Sequence, residues 1–389
     1  MEGTAYGRKA ATHNAFLTEV GPGTPCGEFL RRYWHPVAIS SEVNSRPGQI
    51  RVLGEDLILF RDKSGRPGLL YPRCMHRGTT LYYGKVEEQG IRCCYHGWLF
   101  AVDGTCLEQP CEPEGGRRRE NARQPWYPLQ ERYGLVFAYM GPPDRMPVLP
   151  RYDILEELKP GTQYQCIGGS FFGFGDFVAD HPTVPYNWLQ VYENIMDPFH
   201  VYVLHSNFSS VQFVDGFKVM PRVEFEYADA ATVYHAYRTF PDGREMDRIS
   251  AAMLPNVAAV PAIDLSAGRS NAVEWFVAVD DTHWVGFMVS LTNRPEPVRA
   301  LPMHNGKTWS QATEQERQDY PADFEAQSGQ GPISLHSEEH LAGSDRGVAM
   351  LRRLLTQEIK VVQEGGDPQG VHFNEKEALV NVLSGNFYK

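Results

Sequence analysis

No uninterrupted apolar run in the 389 residues approaches the length needed to cross a bilayer, so no membrane-spanning helix is expected. Positive charge is in deficit: 37 Lys and Arg face 48 Asp and Glu, a net charge of -11. Phosphate binding needs a basic face, so nucleic acid is not an expected partner. The opening "MEGTAYGRKAATHNAF" has no apolar core of a signal peptide, and the expectation is a cytoplasmic protein. Internal repeats and low-complexity linkers are missing as well. Cysteine is sparse, seven in the whole chain, which excludes a disulfide-built scaffold. What remains is an ordinary globular composition, 42% hydrophobic and 22% charged, with enough chain for two or three domains.

The few cysteines are not scattered. Five of the seven lie between positions 74 and 111, beside two histidines, and clustering of that kind points to metal. Cys74-x-His76 and Cys93-x2-His96 each adjoin a turn glycine, Gly78 or Gly97, so two short loops can close over one site from opposite sides. The residue types suit tetrahedral zinc. They also suit a Rieske [2Fe–2S] centre, in which two cysteines hold one iron and two histidines the other. Each loop carries one Cys and one His, which fits two irons side by side better than the usual zinc pairs of like residues. Zinc stays as the alternative, and Cys94 could replace Cys93 by giving a second C-x-H.

Around these loops the chain reads as β-rich. "IRVLGEDLILFRD" has paired-strand character about Gly54-Glu55, Asp62 to Gly68 and Val102 to Thr105 read as hairpin turns, and Glu131 to Gly141 reads as one final strand. Beyond Pro150 the character changes. Asn187 to Ser206 reads as helix, strand candidates follow between Val211 and Leu291, and Ser344 to Gln363 has apolar residues at helical spacing. Ser344 or Asp345 is the expected cap of that last helix, which should pack on a sheet. The fold class is α+β: a small β module and a larger domain with a long C-terminal helix.

A second constellation lies in the first helix. Asn194, Asp197 and His200 fall at i, i+3 and i+6 along one stripe. His205 is about 140° round an ideal helix from His200, so both can face one metal only if the helix bulges or ends between them. Pro198 removes a hydrogen bond there and frees the Asn194 carbonyl. Two histidines and a carboxylate make the facial triad of non-haem Fe(II) oxygenases. Asp319, Asp323 and Glu325 are the downstream carboxylates within one short stretch.

"CMHRGTTLYYGKVEEQGIRCCYHGWLF" resembles the Rieske signature of aromatic-ring-hydroxylating oxygenases, and "ENIMDPFHVYVLH" resembles their mononuclear-iron motif. "VGPGTPCGEFLRRYWHPVAIS" and "GQGPISLHSEEHLAGSDRGVAMLRRLL" are similar to the phthalate 4,5-dioxygenase-like branch, so the resemblance spans most of the chain. It implies Cys74, His76, Cys93 and His96 as cluster ligands, with Cys94 a buried thiol and Trp98 packing over the cluster. It implies His200, His205 and Asp323 as iron ligands, with Glu325 open as an alternative to Asp323. Asp197 would hold His200 and reach a Rieske histidine of a neighbouring subunit, with Asn194 beside it.

The same resemblance implies an N-terminal lead-in over 1–45 packing on the catalytic domain, a Rieske domain over 46–150, and a helix-grip catalytic domain with an antiparallel sheet over 151–389. The expected activity is that of a terminal oxygenase, hydroxylating or O-demethylating a substituted aromatic, foremost an aromatic carboxylate. Its expected partners are dioxygen, an NAD(P)H-dependent flavin and iron–sulfur reductase, and two further copies in a trimer, alone or stacked. An electron-transfer Rieske protein fused to a ligand-binding domain is the competing reading. An aromatic acid would call for a basic residue among apolar walls. Arg238, Arg248 and His283 lie in the right half of the chain, but each reads first as a surface or strand residue.

Overall fold

The computed structural model describes residues 5, 7–117, 119–169, 183–209, 213–293, 307 and 311–389. Position 211, where the second strand-rich stretch is expected to begin, lies outside them. No helix among the described residues is long and apolar enough to cross a membrane.

The expected hairpins form. Strands Gly48–Val52 and Glu55–Arg61 pair antiparallel from Val52 opposite Glu55 to Gly48 opposite Leu59. Their two-residue turn puts Leu53 and Gly54 at positive φ, the geometry that matches strand twist. Pro67–Leu70 returns through a turn held by Asp62, whose carboxylate accepts from the backbone of Arg66, and Trp126–Tyr127 completes four strands. A second four-stranded sheet runs Lys85–Glu87, Gly90–Arg92, Leu99–Phe100, Cys106–Glu108 in sequence order. Ile58, Phe60, Leu70, Ile91 and Phe100 form the core of this module, and Cys74 and Cys93 belong to the same cluster.

The segment Glu131 to Gly141 is not one strand. Leu129–Arg132 turns at Tyr133 and Gly134, both at positive φ, and pairs back on Leu135–Tyr139. A tyrosine rarely adopts that conformation; here its hydroxyl accepts from the Tyr152 amide, which anchors it. Leu135–Tyr139 also pairs with Trp34–Ile39, so one sheet joins chain from the expected lead-in to the end of the β module.

The larger sheet has the order Gln163–Gly169, His283–Thr292, Ala272–Asp280, Val257–Ala259, Glu245–Met253, Ala231–Thr239, Arg222–Ala228, with antiparallel neighbours throughout. The turn of the first hairpin docks on it: the Leu53 and Gly54 amides donate to the carbonyls of Ala278 and Val279. Helix Arg346–Gln363 packs against the sheet through Leu351, Leu354, Leu355, Ile359 and Val362, at the 3–4 spacing that makes one apolar face. Each buried leucine there contributes roughly 1.5–3 kcal/mol. The Asp345 side chain caps nothing in this helix; it accepts from the Ala342 amide in the turn before it.

The helix expected over Asn187 to Ser206 is three pieces. Asn187 caps Trp188–Asn194 by accepting from the Leu189 amide, and its own amide donates to Thr18 and Asp281 carbonyls. The chain breaks at Ile195 to Asp197, and Asp197 caps a new helix, Pro198–Val203, with proline in its first turn where a missing N–H costs nothing. The freed Asn194 carbonyl accepts from the Asp197 amide. Then Leu204–Phe208 widens into a π-helix.

Candidate metal centres and active-site cavity

The two cysteine loops are built alike. The Cys74 amide donates to Thr79 and the Gly78 amide donates back to the Cys74 carbonyl; the Cys93 amide donates to Trp98 and the Gly97 amide to the Cys93 carbonyl. Gly78 and Gly97 both sit at positive φ, which lets each loop close in five residues. Cys74 and Cys93 are buried, whereas His76 and His96 are half-buried with ring centroids 4.6 Å apart. Thiol donors lie inside and imidazole donors outside. Burial, foremost, and the neighbouring Cys93 push the Cys74 thiol up to about 12, while backbone hydrogen bonds from His76 and Arg77 act the other way.

Thiols on the inside and imidazoles on the outside suit a two-iron cluster, one iron held by each pair, better than zinc. Among the described residues, His200, His205 and Asp323 also gather as a metal-ligand set, their donor atoms within 4.8 Å of one another. Trp98 stacks flat on His76, centroids 4.5 Å apart and planes 4° apart, as expected of a residue packing over the cluster.

Cys94 is exposed, not buried. Closing the loop turns Cys93 inward and points its neighbour out. Sequence reasoning missed Gln124, which is fully buried; its Oε1 accepts from the Met75 amide and its Nε2 donates to the carbonyls of Tyr71 and Arg73. It fixes the first loop from well beyond the second in the chain, and no local pattern announces it.

At the second centre the π-turn brings the histidines to one side, ring centroids 5.2 Å apart. Asp323 opens the helix Asp323–Ser328 and meets them: Oδ2 lies 3.1 Å from Nε2 of His205, and Oδ1 lies 3.7 Å from Nε2 of His200. Asn194 Nδ2 donates to the same carboxylate at 3.4 Å. Glu325 does not compete. The segment is helical rather than extended, and Glu325 turns back to accept from the Ala322 amide. Asp319 closes the preceding helix, where it accepts from Gln315.

Burial alone would raise the Asp323 carboxyl, but the two imidazoles and Asn194 outweigh it and hold it at about 2. Burial, followed by the neighbouring His205, lowers His200 despite Asp323 and Asp197. An ionised carboxylate with a neutral imidazole is the protonation state that a metal ligand set needs. Asp197 holds His200 from below: its Oδ1 accepts from the His200 amide at 3.3 Å, and the His200 Nδ1 contacts the Asp197 carbonyl. The Asp197 side chain remains 32% exposed.

One face of the triad opens on a cavity. Its walls are largely apolar, with Val191, Ile195, Phe213, Phe217 and Phe276 among them. The large sheet adds Tyr234, Arg248 and Glu274 to a polar lining that also holds Asn194, Asp197 and Gln327. Arg248 is therefore neither a surface residue nor an ordinary strand residue. It is buried, its Nη1 donates to Ala262 and Asn386 and its Nη2 to Pro261, and among the described residues no carboxylate pairs with it. Arg238 is buried but does not line the cavity, and His283 closes a strand turn against Asp280 and Thr282. A second, open depression on the other side of the centre is lined by Asp197, His200, Leu335, His340 and Arg352.

Residues 33–129 match the Rieske [2Fe-2S] domain. The chain is 62% identical over 386 residues to phenoxybenzoate dioxygenase subunit alpha of Ectopseudomonas oleovorans, covering 99% of this chain and 94% of that one. It is 32% identical over 377 residues to the 5,5'-dehydrodivanillate O-demethylase oxygenase subunit of Sphingobium sp. (strain NBRC 103272 / SYK-6), covering 93% and 83%. Among solved structures, dicamba monooxygenase bound to dicamba shares the fold, with a TM-score of 0.61 at 16% identity over 87% of this chain and 99% of that one.

The donor sets fit what these similarities bring. The cofactors are a Rieske [2Fe–2S] cluster and a mononuclear iron, and the protein is the terminal oxygenase of a system charged by a reductase. Full-length likeness to an oxygenase subunit, a Rieske domain and a second metal-ligand triad converge on one assignment: the chain belongs to the Rieske non-haem iron aromatic-ring-hydroxylating oxygenases, as an alpha subunit of the phthalate 4,5-dioxygenase-like branch.

Proposed function

We propose that this oxygenase hydroxylates or O-demethylates a substituted aromatic carboxylate, with Arg248 taking the carboxylate and the ring lying before the triad. The observation that carries this reading is one cavity lined by both the triad and a buried arginine that has no carboxylate partner among the described residues. Apolar walls remove water from the ring, and the fixed guanidinium keeps N–H donors for a planar anion. Three hydrogen bonds to Ala262, Asn386 and Pro261 hold it still, so little side-chain freedom is lost on binding. The likeness to phenoxybenzoate dioxygenase makes phenoxybenzoates the first acids to try.

In this reading Cys74, Cys93, His76 and His96 hold the cluster, and His200, His205 and Asp323 hold the iron. When bound, the iron supplies dioxygen activation and the cluster supplies electrons one at a time. Asp197 fixes the tilt of His200, and its exposed edge on the open depression suits contact with a Rieske histidine of a second copy. Such a contact calls for an oligomer; the family resemblance supports a homotrimer, alone or stacked, and we place it in the cytoplasm. The domain division that goes with it is a lead-in over 1–45, a Rieske domain over 46–150 and a catalytic domain over 151–389. The triad speaks against a mere electron carrier, which has no use for it.

The test is a single turnover. Anaerobically reduced protein is mixed with air-saturated buffer and a panel of aromatic acids, half of them methoxylated. Two added hydroxyls make it a ring dioxygenase, and formaldehyde with a phenol makes it an O-demethylase. Unchanged substrate throughout, with the mononuclear site full of iron, would overturn the substrate class.

A further inference from the structure

The cavity holds a second polar side chain that the proposed chemistry leaves unused. Glu274 lies on strand Ala272–Asp280, and with Phe276 two residues on it points to the cavity. Among the described residues its carboxyl makes no hydrogen bond or ion pair, and the residues level with it, Ala258 and Met288, carry no charge. Nor does it pair with Arg248. From Glu274 the register runs to Ala258 and then to Ala252, and Arg248 lies four residues before Ala252. The two backbone positions are thus about 10 Å apart across the strands and about 13 Å along them. Both side chains reach one cavity from separate places, leaving room for a molecule between them.

A half-buried carboxyl that faces a largely apolar cavity is costly to ionise unless something satisfies it. Its surroundings say which form it takes: burial pushes it up to about 8, so at neutral pH it keeps its proton and can donate. Two anchors of this kind select a ligand with an anion at one end and an acceptor at the other.

We propose that Glu274 is a specificity-determining residue that donates a hydrogen bond to a substrate oxygen remote from the carboxylate. This rests on the reading of Arg248 as the carboxylate anchor, and it narrows the substrate class to elongated aromatic acids with a distal ether, methoxy or carbonyl oxygen. A site built to hydrogen-bond a group rejects the analogue that lacks it, because the protein group is then left unpaired.

The experiment is calorimetric titration of the anaerobic holoenzyme with three ligands. These are a phenoxybenzoate with a methoxy group on the distal ring, the same acid with ethyl in its place, and the carboxamide of the first. The expected result is about tenfold tighter binding of methoxy than of ethyl, abolished in Glu274→Leu and largely kept in Glu274→Gln. Glu274→Leu with wild-type circular dichroism that keeps the preference, or weakens both acids alike, would overturn the proposal. Equal binding of acid and carboxamide would instead count against Arg248 as the anchor, and the methoxy-to-ethyl comparison would still decide Glu274.

Discussion

Gly347 lies so close to Met196 that a β-carbon at 347 would stand 2.3 Å from the Met196 carbonyl oxygen. This contact ties the long C-terminal helix to the break in the site helix, one residue before Asp197. Arg352, one and a half turns further along, grips Glu193 and Glu339. The C-terminal helix therefore acts as a splint for the segment that carries His200 and His205.

In an unconstrained helix, Gly347→Ala would add about 1 kcal/mol of stability. Here the methyl has only backbone and the Phe225 ring to displace, so a loss of about 1–3 kcal/mol is expected. Urea denaturation gives the sign. Iron should fall at the mononuclear centre while the [2Fe–2S] absorbance per chain stays unchanged. A stabilised variant with full iron would show that the helix is free to move away.

Gln124 should matter to the cluster as the ligands' neighbours do. Gln124→Leu removes three hydrogen bonds from the first loop and leaves its partly buried backbone partners unpaired, each bond worth about 0.5–1.5 kcal/mol. The expected outcome is faster bleaching of the visible cluster spectrum in air, with mononuclear iron retained. A wild-type half-life for the colour would remove Gln124 from the account.

What was legible in the sequence was what lies close along the chain. Cys74 to His96 spans two loops joined by a short hairpin, and His200 and His205 lie five residues apart, so spacing pointed to the first site and to the bulge between the histidines, while resemblance was needed to choose the histidines as ligands. Asp323 came from resemblance, and only the helix that starts there separates it from Glu325. The hairpin at Tyr133 was hidden because tyrosine seldom takes positive φ. Cys94 misled because burial of one residue in a tight loop exposes the next. Gln124 and Glu274 could not be read at all, and Arg248 could not be told from Arg238 and His283: their places come from strands and loops brought together by the sheet register, and nothing local distinguishes them from other polar residues.

Asp323 and Glu325 are separable by substitution. Asp323→Asn should weaken iron at the second centre by about tenfold or more, as a charged donor becomes neutral between two imidazoles. Glu325→Ala should keep the iron and cost about 1 kcal/mol through the lost cap at Ala322. Metal analysis after desalting, with urea denaturation, reads both effects. Full iron in Asp323→Asn and none in Glu325→Ala would reverse the assignment.

Stability should also fall with pH for a reason unconnected with iron. His35 is fully buried on strand Trp34–Ile39; its Nε2 lies 2.8 Å from the Leu30 carbonyl oxygen, and its Nδ1 has no partner among the described residues. Burial, then partly offset by that carbonyl, lowers it to about 4, with Arg31 pressing the same way as burial. The unfolded histidine titrates near 6.5. Between those values the unfolded chain takes up a proton that the folded chain refuses, so stability is lost as pH drops from about 6.5 to about 4 and levels off below. A gap of that size amounts to roughly 2–4 kcal/mol. Urea midpoints measured from pH 7 to pH 5 should slope downward in the wild type and less steeply in His35→Gln, which cannot titrate. Equal slopes would mean that other groups set the acid limit of this fold.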